Sequence, residues 1–265
     1  MLKTDLVLDA ARSVAGDLYL PQGQGPRPVI VAVHGGGWRR GSRKALAQWG
    51  HFLARSGIAM LAISYRLTTS GAVWPDNLDD VAAALEWLQG RGDAHGLDLN
   101  RVGLLGASAG AHLAALAALT RHEIRCPPIC ALVGVYGVYD LTAHWQSDLI
   151  KAAPAVENPT VRMMGGTPID DPRRYFDASP ISHVSHAARS LRVQLIYGDH
   201  DQDIDCTQSL NFATRLRQAG AMVQAVPVLG AGHLWFSAED MTDPSSHCAY
   251  VAPRLLAFLK QHLVA

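Results

Sequence analysis

Short runs of apolar, mostly β-branched residues alternate along the chain with longer segments whose apolar positions recur every three or four residues. Runs such as Val29-Ile30-Val31-Ala32-Val33 have no polar alternation, as expected of strands covered on both faces. Strands are expected over 5–9, 16–20, 28–33, 58–64, 102–105, 129–136, 192–197 and 222–227, the first two as an antiparallel start. The helical period predicts helices over 44–55, 78–89, 109–121, 207–219 and 248–262. Asn77 and Asp205 suit helix N-caps, and Gln208 would complete a capping box with Asp205. Alternation of this kind predicts an α/β class: a mostly parallel central sheet of about eight strands with helices on both faces.

Positions 137–189 break the pattern, with prolines, paired glycines and no strong period. Long irregular segments in compact domains are usually functional, so a small partial cap over the C-terminal edge of the sheet is expected here. No internal repeat or low-complexity tract divides the chain, and one domain over 1–265 is the expectation.

Composition narrows the function. With 265 residues and 49% hydrophobic content the chain can bury a substantial core. Lys plus Arg equals Asp plus Glu at 23 each, so no global charge draws it to nucleic acid or to an anionic membrane. The start, Met1-Leu2-Lys3-Thr4-Asp5, lacks the apolar stretch of a secretory signal, and no apolar run is long enough to span a bilayer. A soluble, cytoplasmic protein is expected, with neither nucleic acid nor membrane as partner; a homodimer stays open. The cysteines, Cys126, Cys130, Cys206 and Cys248, are too scattered for a disulfide framework and read as free thiols. Cys126 and Cys130 are followed by no second pair at zinc-ligand spacing, and His95, His183 and His186 sit in no ligand set. Neither a metal nor any other cofactor is expected.

Four local motifs carry chemistry. Gly106-Ala107-Ser108-Ala109-Gly110 lies where the strand over 102–105 turns into the helix from 109, a tight turn that presents Ser108 as a nucleophile. His34-Gly35-Gly36-Gly37-Trp38 follows the strand over 28–33, and its glycines leave backbone amides bare. Amides of Gly36 and Gly37, with that of Ala109 at a helix N-terminus, can hold a developing oxyanion, each lowering the barrier by about 3–4 kcal/mol. A serine also needs a base, and the base an orienting acid. The strand over 192–197 ends in a carboxylate cluster. Asp205 there is set aside for capping and Asp199 lies too close to the strand, which leaves Asp201 ahead of Asp203. Gly232-His233, on the loop after the strand over 222–227, supplies the base. Trp38 and Tyr136 are placed in the walls of the substrate pocket; His112, Trp74 and Trp145 are expected to pack.

Taken together, 34–38, 106–110, 198–201 and 232–233 resemble the α/β-hydrolase superfamily. Within it, Gly41, Ser64-Tyr65-Arg66-Leu67, Trp74-Pro75 and Asp79-Asp80-Val81 are similar to the bacterial feruloyl-esterase-like and hormone-sensitive-lipase-like carboxylesterases. The superfamily places acid and histidine in that order after the serine, which matches Ser108, Asp201 and His233. The resemblance implies an α/β-hydrolase fold and serine-dependent hydrolysis of small to medium carboxylic esters through an acyl-enzyme, without a cofactor. Two residues depart from the lipase-like pattern: Ala107 stands where an acidic residue is usual, and Ala111 where a second glycine is usual. Ser108-Ala109-Gly110-Ala111-His112 is instead similar to arylformamidases, so formamide hydrolysis is the alternative. An oligopeptidase is disfavoured because the first strand begins within the first ten residues, and a non-catalytic receptor because no motif is damaged.

Overall fold

A computed structural model describes residues 1–23, 25–69, 71–120, 126–151 and 158–264. Eight strands form one sheet: β1 (Leu2–Asp9), β2 (Val14–Tyr19), β3 (Arg27–Val33), β4 (Ala59–Ser64), β5 (Leu97–Ala107), β6 (Ile129–Val135), β7 (Arg192–Gly198) and β8 (Met222–Val228). Their spatial order is β1-β2-β4-β3-β5-β6-β7-β8. The pairings β1–β2 and β2–β4 are antiparallel and all others parallel, so the expected class and the expected antiparallel start are both present.

Two apolar layers explain the unbroken hydrophobic runs. In β3, Val29, Val31 and Val33 face a core completed by α2 (Asp76–Arg91), α3 (Ala109–Thr120) and α7 (Thr207–Gln218). The intervening Ile30 and Ala32 face the opposite core, built with α1 (Ala47–Arg55), α8 (Trp235–Ala238) and α9 (His247–Leu259). A strand between two helical layers has no polar face to show. Helix α3 is buried from Ala109 to Ala117, which fits its near-absence of charged residues. Its expected last residue, Arg121, lies outside the described residues.

Boundaries moved where polar residues hid a strand or a cap. Strand β5 begins at Leu97, well before position 102, because Leu97 pairs with Arg27 across the sheet even though Asp98, Asn100 and Arg101 follow it. Helix α2 starts at Asp76, and the expected cap Asn77 is buried within its first turn, with neither side-chain polar atom hydrogen-bonded among the described residues. Asp205 does take the Thr207 amide at 2.8 Å, but no capping box forms. Gln208 is buried instead and accepts from the amides of Tyr139 and Asp140, each at 2.8 Å.

The stretch over 137–189 contributes α4 (Leu141–Ile150), α5 (Pro159–Met164) and α6 (Pro172–Ala178) between β6 and β7; positions 152–157 are outside the described residues. Each helix has a side-chain cap from Asp140, Asn158 or Asp171, and α5 and α6 carry proline at their first position. Asn-Pro and Asp-Pro therefore mark helix starts that apolar periodicity misses in such short segments.

Glycines at two positions allow α3 to sit close to the sheet. A Cβ on Gly110 would lie 2.1 Å from the Val33 carbonyl oxygen, and one on Gly106 would lie 2.3 Å from the Gly110 carbonyl oxygen. Gly90 on the exposed side of α2 has nothing within 4 Å of an added Cβ. Gly110→Ala should therefore lower stability by about 3 kcal/mol or more, whereas Gly90→Ala should raise it by about 0.5–1 kcal/mol, both read by urea unfolding. Equal effects of the two substitutions would contradict the close-approach account.

Candidate active site

The turn between β5 and α3 holds Ser108 at φ +54°, a left-handed conformation that a serine adopts only when its surroundings impose it. Its amide donates to the Val135 carbonyl at 2.9 Å, and its carbonyl accepts from Ala111 and His112, so the strain is held from both sides. The Oγ lies 3.0 Å from His233 Nε2, and His233 Nδ1 lies 2.7 Å from Asp201 Oδ2. Asp201 is ordered in turn: Oδ1 accepts from the amides of Asp203 and Ile204, both at 2.9 Å. An ionised carboxylate only accepts, so Nδ1 carries the proton and Nε2 is left to accept from the serine hydroxyl.

The other aspartates are placed differently. Asp199 accepts from the Gly230 amide at 2.7 Å and so ties the loop after β7 to the histidine loop. Asp203 is exposed, and its carboxylate is not hydrogen-bonded to His233. Asp201, Asp203 and His233 are the one grouping of metal-binding side chains among the described residues, with ligand atoms within 4.8 Å of one another. Its imidazole Nδ1 is already engaged by Asp201.

Above Ser108 lies the glycine loop after β3. Gly36 (φ +123°) and Gly37 (φ +59°) take conformations that favour glycine, and Trp38 is held at φ +56°. The amides of Gly36, Gly37 and Ala109 have no acceptor among the described residues, and all three residues line the same cavity as Ser108. Buried polar contacts fix this loop. Tyr65 Oη donates to the His34 carbonyl at 3.1 Å, and the Thr68 amide donates to the Trp38 carbonyl at 2.9 Å. Arg66 anchors that second loop to α2 through Asp80, which is fully buried and receives Nη2 at 2.8 Å.

His112, expected to pack, does more. It is fully buried; Nε2 donates to the Ala178 carbonyl at 2.7 Å, and Nδ1 accepts from Trp38 Nε1 at 3.2 Å. One imidazole thus pins the glycine loop to the segment before β7. Burial pushes its pKa down to about 4, and burial also lowers that of His34. Burial keeps both rings neutral at pH 7, and for His112 the acceptor role of Nδ1 requires it.

A cavity of about 240 Å³ opens over Ser108, lined by Gly36, Gly37, Trp38, Ala109 and His233, among others. Trp38 is in its wall. Tyr136 is not: 2% exposed, it sits behind His233 with ring centroids 4.5 Å apart, because its backbone at φ +37° turns the side chain toward Trp235. Trp74 lies against His112 at 6.4 Å, and Trp145 packs at the margin of the core, as expected. Sequence reasoning did not single out His144 and Asp148, which reach the cavity from α4. They sit one helical turn apart in the segment without strong period, and that spacing was the available signal.

The sequence model of the family described as BD-FAE matches residues 16–216, a span that includes Ser108 and Asp201 and stops before His233. The chain is 33% identical over 237 residues to Esterase LipC of Mycobacterium tuberculosis, covering 84% of this chain and 57% of that protein. To the probable carboxylic ester hydrolase LipM of the same organism it is 32% identical over 204 residues, covering 73% and 46%. The chain thus spans about half the length of these curated relatives. In structure it is similar to carboxyl esterase 2 (TmelEST2) of the mycorrhizal fungus Tuber melanosporum, with a TM-score of 0.81, 25% identity and coverage of 99% and 87% of the two chains.

The buried imidazoles make stability depend on pH. In the unfolded chain His112 protonates near 6.5, in the folded one near 4, so between these values the unfolded state binds the extra proton. Stability should therefore fall as pH drops from about 6.5 to 4, with His112 contributing about 3 kcal/mol of the fall. His112→Gln should flatten the curve in urea unfolding at a series of pH values; a curve parallel to wild type would contradict a neutral buried His112.

Proposed function

Since the chain belongs to the BD-FAE family and has the α/β-hydrolase fold, we propose that it is a serine carboxylesterase that works through an acyl-enzyme. The observation that carries the reading is the chain of hydrogen bonds from Ser108 Oγ through His233 to Asp201, at 3.0 and 2.7 Å. The names of LipC and LipM, both ester hydrolases, support the same reaction class.

In this mechanism His233 Nε2 takes the hydroxyl proton as Ser108 Oγ attacks the acyl carbon, and Asp201 stabilises the imidazolium that forms. The carbonyl oxygen becomes an oxyanion facing the free amides of Gly36, Gly37 and Ala109. Collapse of the tetrahedral species breaks the bond to the alcohol, which leaves with the proton from His233. Water then attacks the acyl carbon and gives a proton to the same nitrogen; the bond to Ser108 Oγ breaks as that proton returns to the serine, and the carboxylic acid is released. These amides act without reorganising, because Tyr65, Thr68 and His112 hold the loop before substrate arrives.

The cavity of about 240 Å³ is below the roughly 300–1,000 Å³ of pockets for drug-sized ligands, which favours short acyl groups. In this reading 137–189 acts as a partial cap, since His144, Asp148 and Pro159 close one side of the cavity. Among the described residues no helix is long and apolar enough to cross a membrane. Cys130, Cys206 and Cys248 carry free thiols, and on that ground we place the protein in a reducing compartment such as the cytoplasm.

Steady-state hydrolysis of p-nitrophenyl butyrate tests the roles. Ser108→Ala should lower kcat by about 10⁴-fold or more and Asp201→Asn by about 10³–10⁴-fold. Asp203→Asn should stay within about threefold, since its carboxylate does not orient the base. Acetate and butyrate esters should outrun the octanoate ester. Full turnover by Ser108→Ala, or equal loss in the two aspartate variants, would contradict the assignment.

A further inference from the structure

The mechanism leaves one buried titratable group in the cavity unused. His144 on α4 is 8% exposed and lines the cavity together with Ser108 and His233. Its Nε2 lies 3.7 Å from Asp148 Oδ2, beyond hydrogen-bond range, and among the described residues neither ring nitrogen has a hydrogen-bond partner or is sealed in the interior. Asp148 is fixed by Asn158, whose Nδ2 donates to Oδ2 at 2.8 Å while its Oδ1 caps α5. A polar pair is thus held rigidly in a cavity wall without satisfying itself.

We propose that His144 and Asp148 form a leaving-group subsite that takes a hydroxyl on the alcohol part of the ester, so that esters of diols and polyols are preferred over esters of simple alcohols. This rests on the carboxylesterase reading above. Burial keeps the His144 ring neutral against the opposing pull of Asp148, which leaves it one N–H donor and one acceptor. A hydroxyl both donates and accepts, so a single group can bridge the imidazole and the carboxylate across the 3.7 Å gap. An alkyl group would leave the imidazole unpaired, and an anionic group would meet the Asp148 charge.

Position selects the alcohol side. His144 and His233 line the same cavity, and the end of α4 is tied to the loop that bears Asp201: Lys151 Nζ donates to the carbonyls of Gln202 at 2.6 Å and Asp203 at 3.2 Å. The departing oxygen must reach His233 Nε2 to receive its proton, so the alcohol lies on the same side of the acyl carbon as His144.

The test compares glyceryl monobutyrate with propyl butyrate, which share the acyl group and the three-carbon alcohol chain, in wild type, His144→Phe, His144→Gln and Asp148→Asn. Wild type should favour the glyceryl ester in kcat/KM by about three- to tenfold, mainly through KM. His144→Phe should bring the ratio near one by raising KM for the glyceryl ester, with partial recovery in His144→Gln; Asp148→Asn should lower the ratio as well. A wild-type ratio near one overturns the proposal without recourse to any variant. So does an equal loss for both esters in the folded variants, which is the signature of a merely structural role. If wild type hydrolyses neither of these esters nor p-nitrophenyl butyrate, the carboxylesterase reading has failed, and the subsite with it.

Discussion

The contact on which this site depends is between backbones: the start of α3 lies against the end of β3, where Gly110 leaves room for the Val33 carbonyl oxygen. No side chain fits there, so the approach is fixed by the absence of a Cβ at 106 and 110. It brings the turn bearing Ser108 beside the glycine loop that continues β3, and it forces Ser108 into its left-handed conformation. The Ser108 hydroxyl and the amides of Gly36, Gly37 and Ala109 are therefore brought together by one packing event. Asp201 and His233 join them because β7 and β8 continue the same parallel sheet and release their loops at the same edge.

What holds the glycine loop is a set of neutral, buried polar groups. His34, Tyr65 and His112 lie in surroundings where a charge would be costly, and burial keeps them uncharged. The hydrogen bonds of Tyr65 and His112 run between segments far apart in sequence, as from Trp38 through His112 to Ala178. Such bonds stabilise little on net but are costly to break when a buried partner is left unpaired, which makes them effective at fixing position. The preorganisation that the proposed oxyanion binding requires thus has a structural source outside the groups that would touch substrate.

The core strands were readable because each is covered on both faces, and only a continuous apolar run meets that demand. The site order was readable because each motif follows a strand: 34–38 after β3, 106–110 after β5, 198–201 after β7 and 232–233 after β8. Tertiary contacts hid the rest. Gln208 fits a capping box in sequence, yet its amide is drawn to the bare Tyr139 and Asp140 amides across the fold. Tyr136 follows β6 at the level of the site, but its backbone conformation turns the ring behind His233. The helices of 137–189 escaped because they are short enough that caps, and not periodicity, define them. His144 and Asp148 gain meaning only once α4 is placed over the cavity.

The central claim is that Ser108 becomes covalently acylated with His233 as its base. The most direct measurement is acid-quenched mass spectrometry within the first turnover of p-nitrophenyl butyrate, followed by peptide mapping. The account predicts one butyryl group per chain, on the peptide containing Ser108, and no label on this time scale when His233 is replaced by Ala. A butyryl group on any other residue, or unchanged labelling of Ser108 without His233, would contradict it.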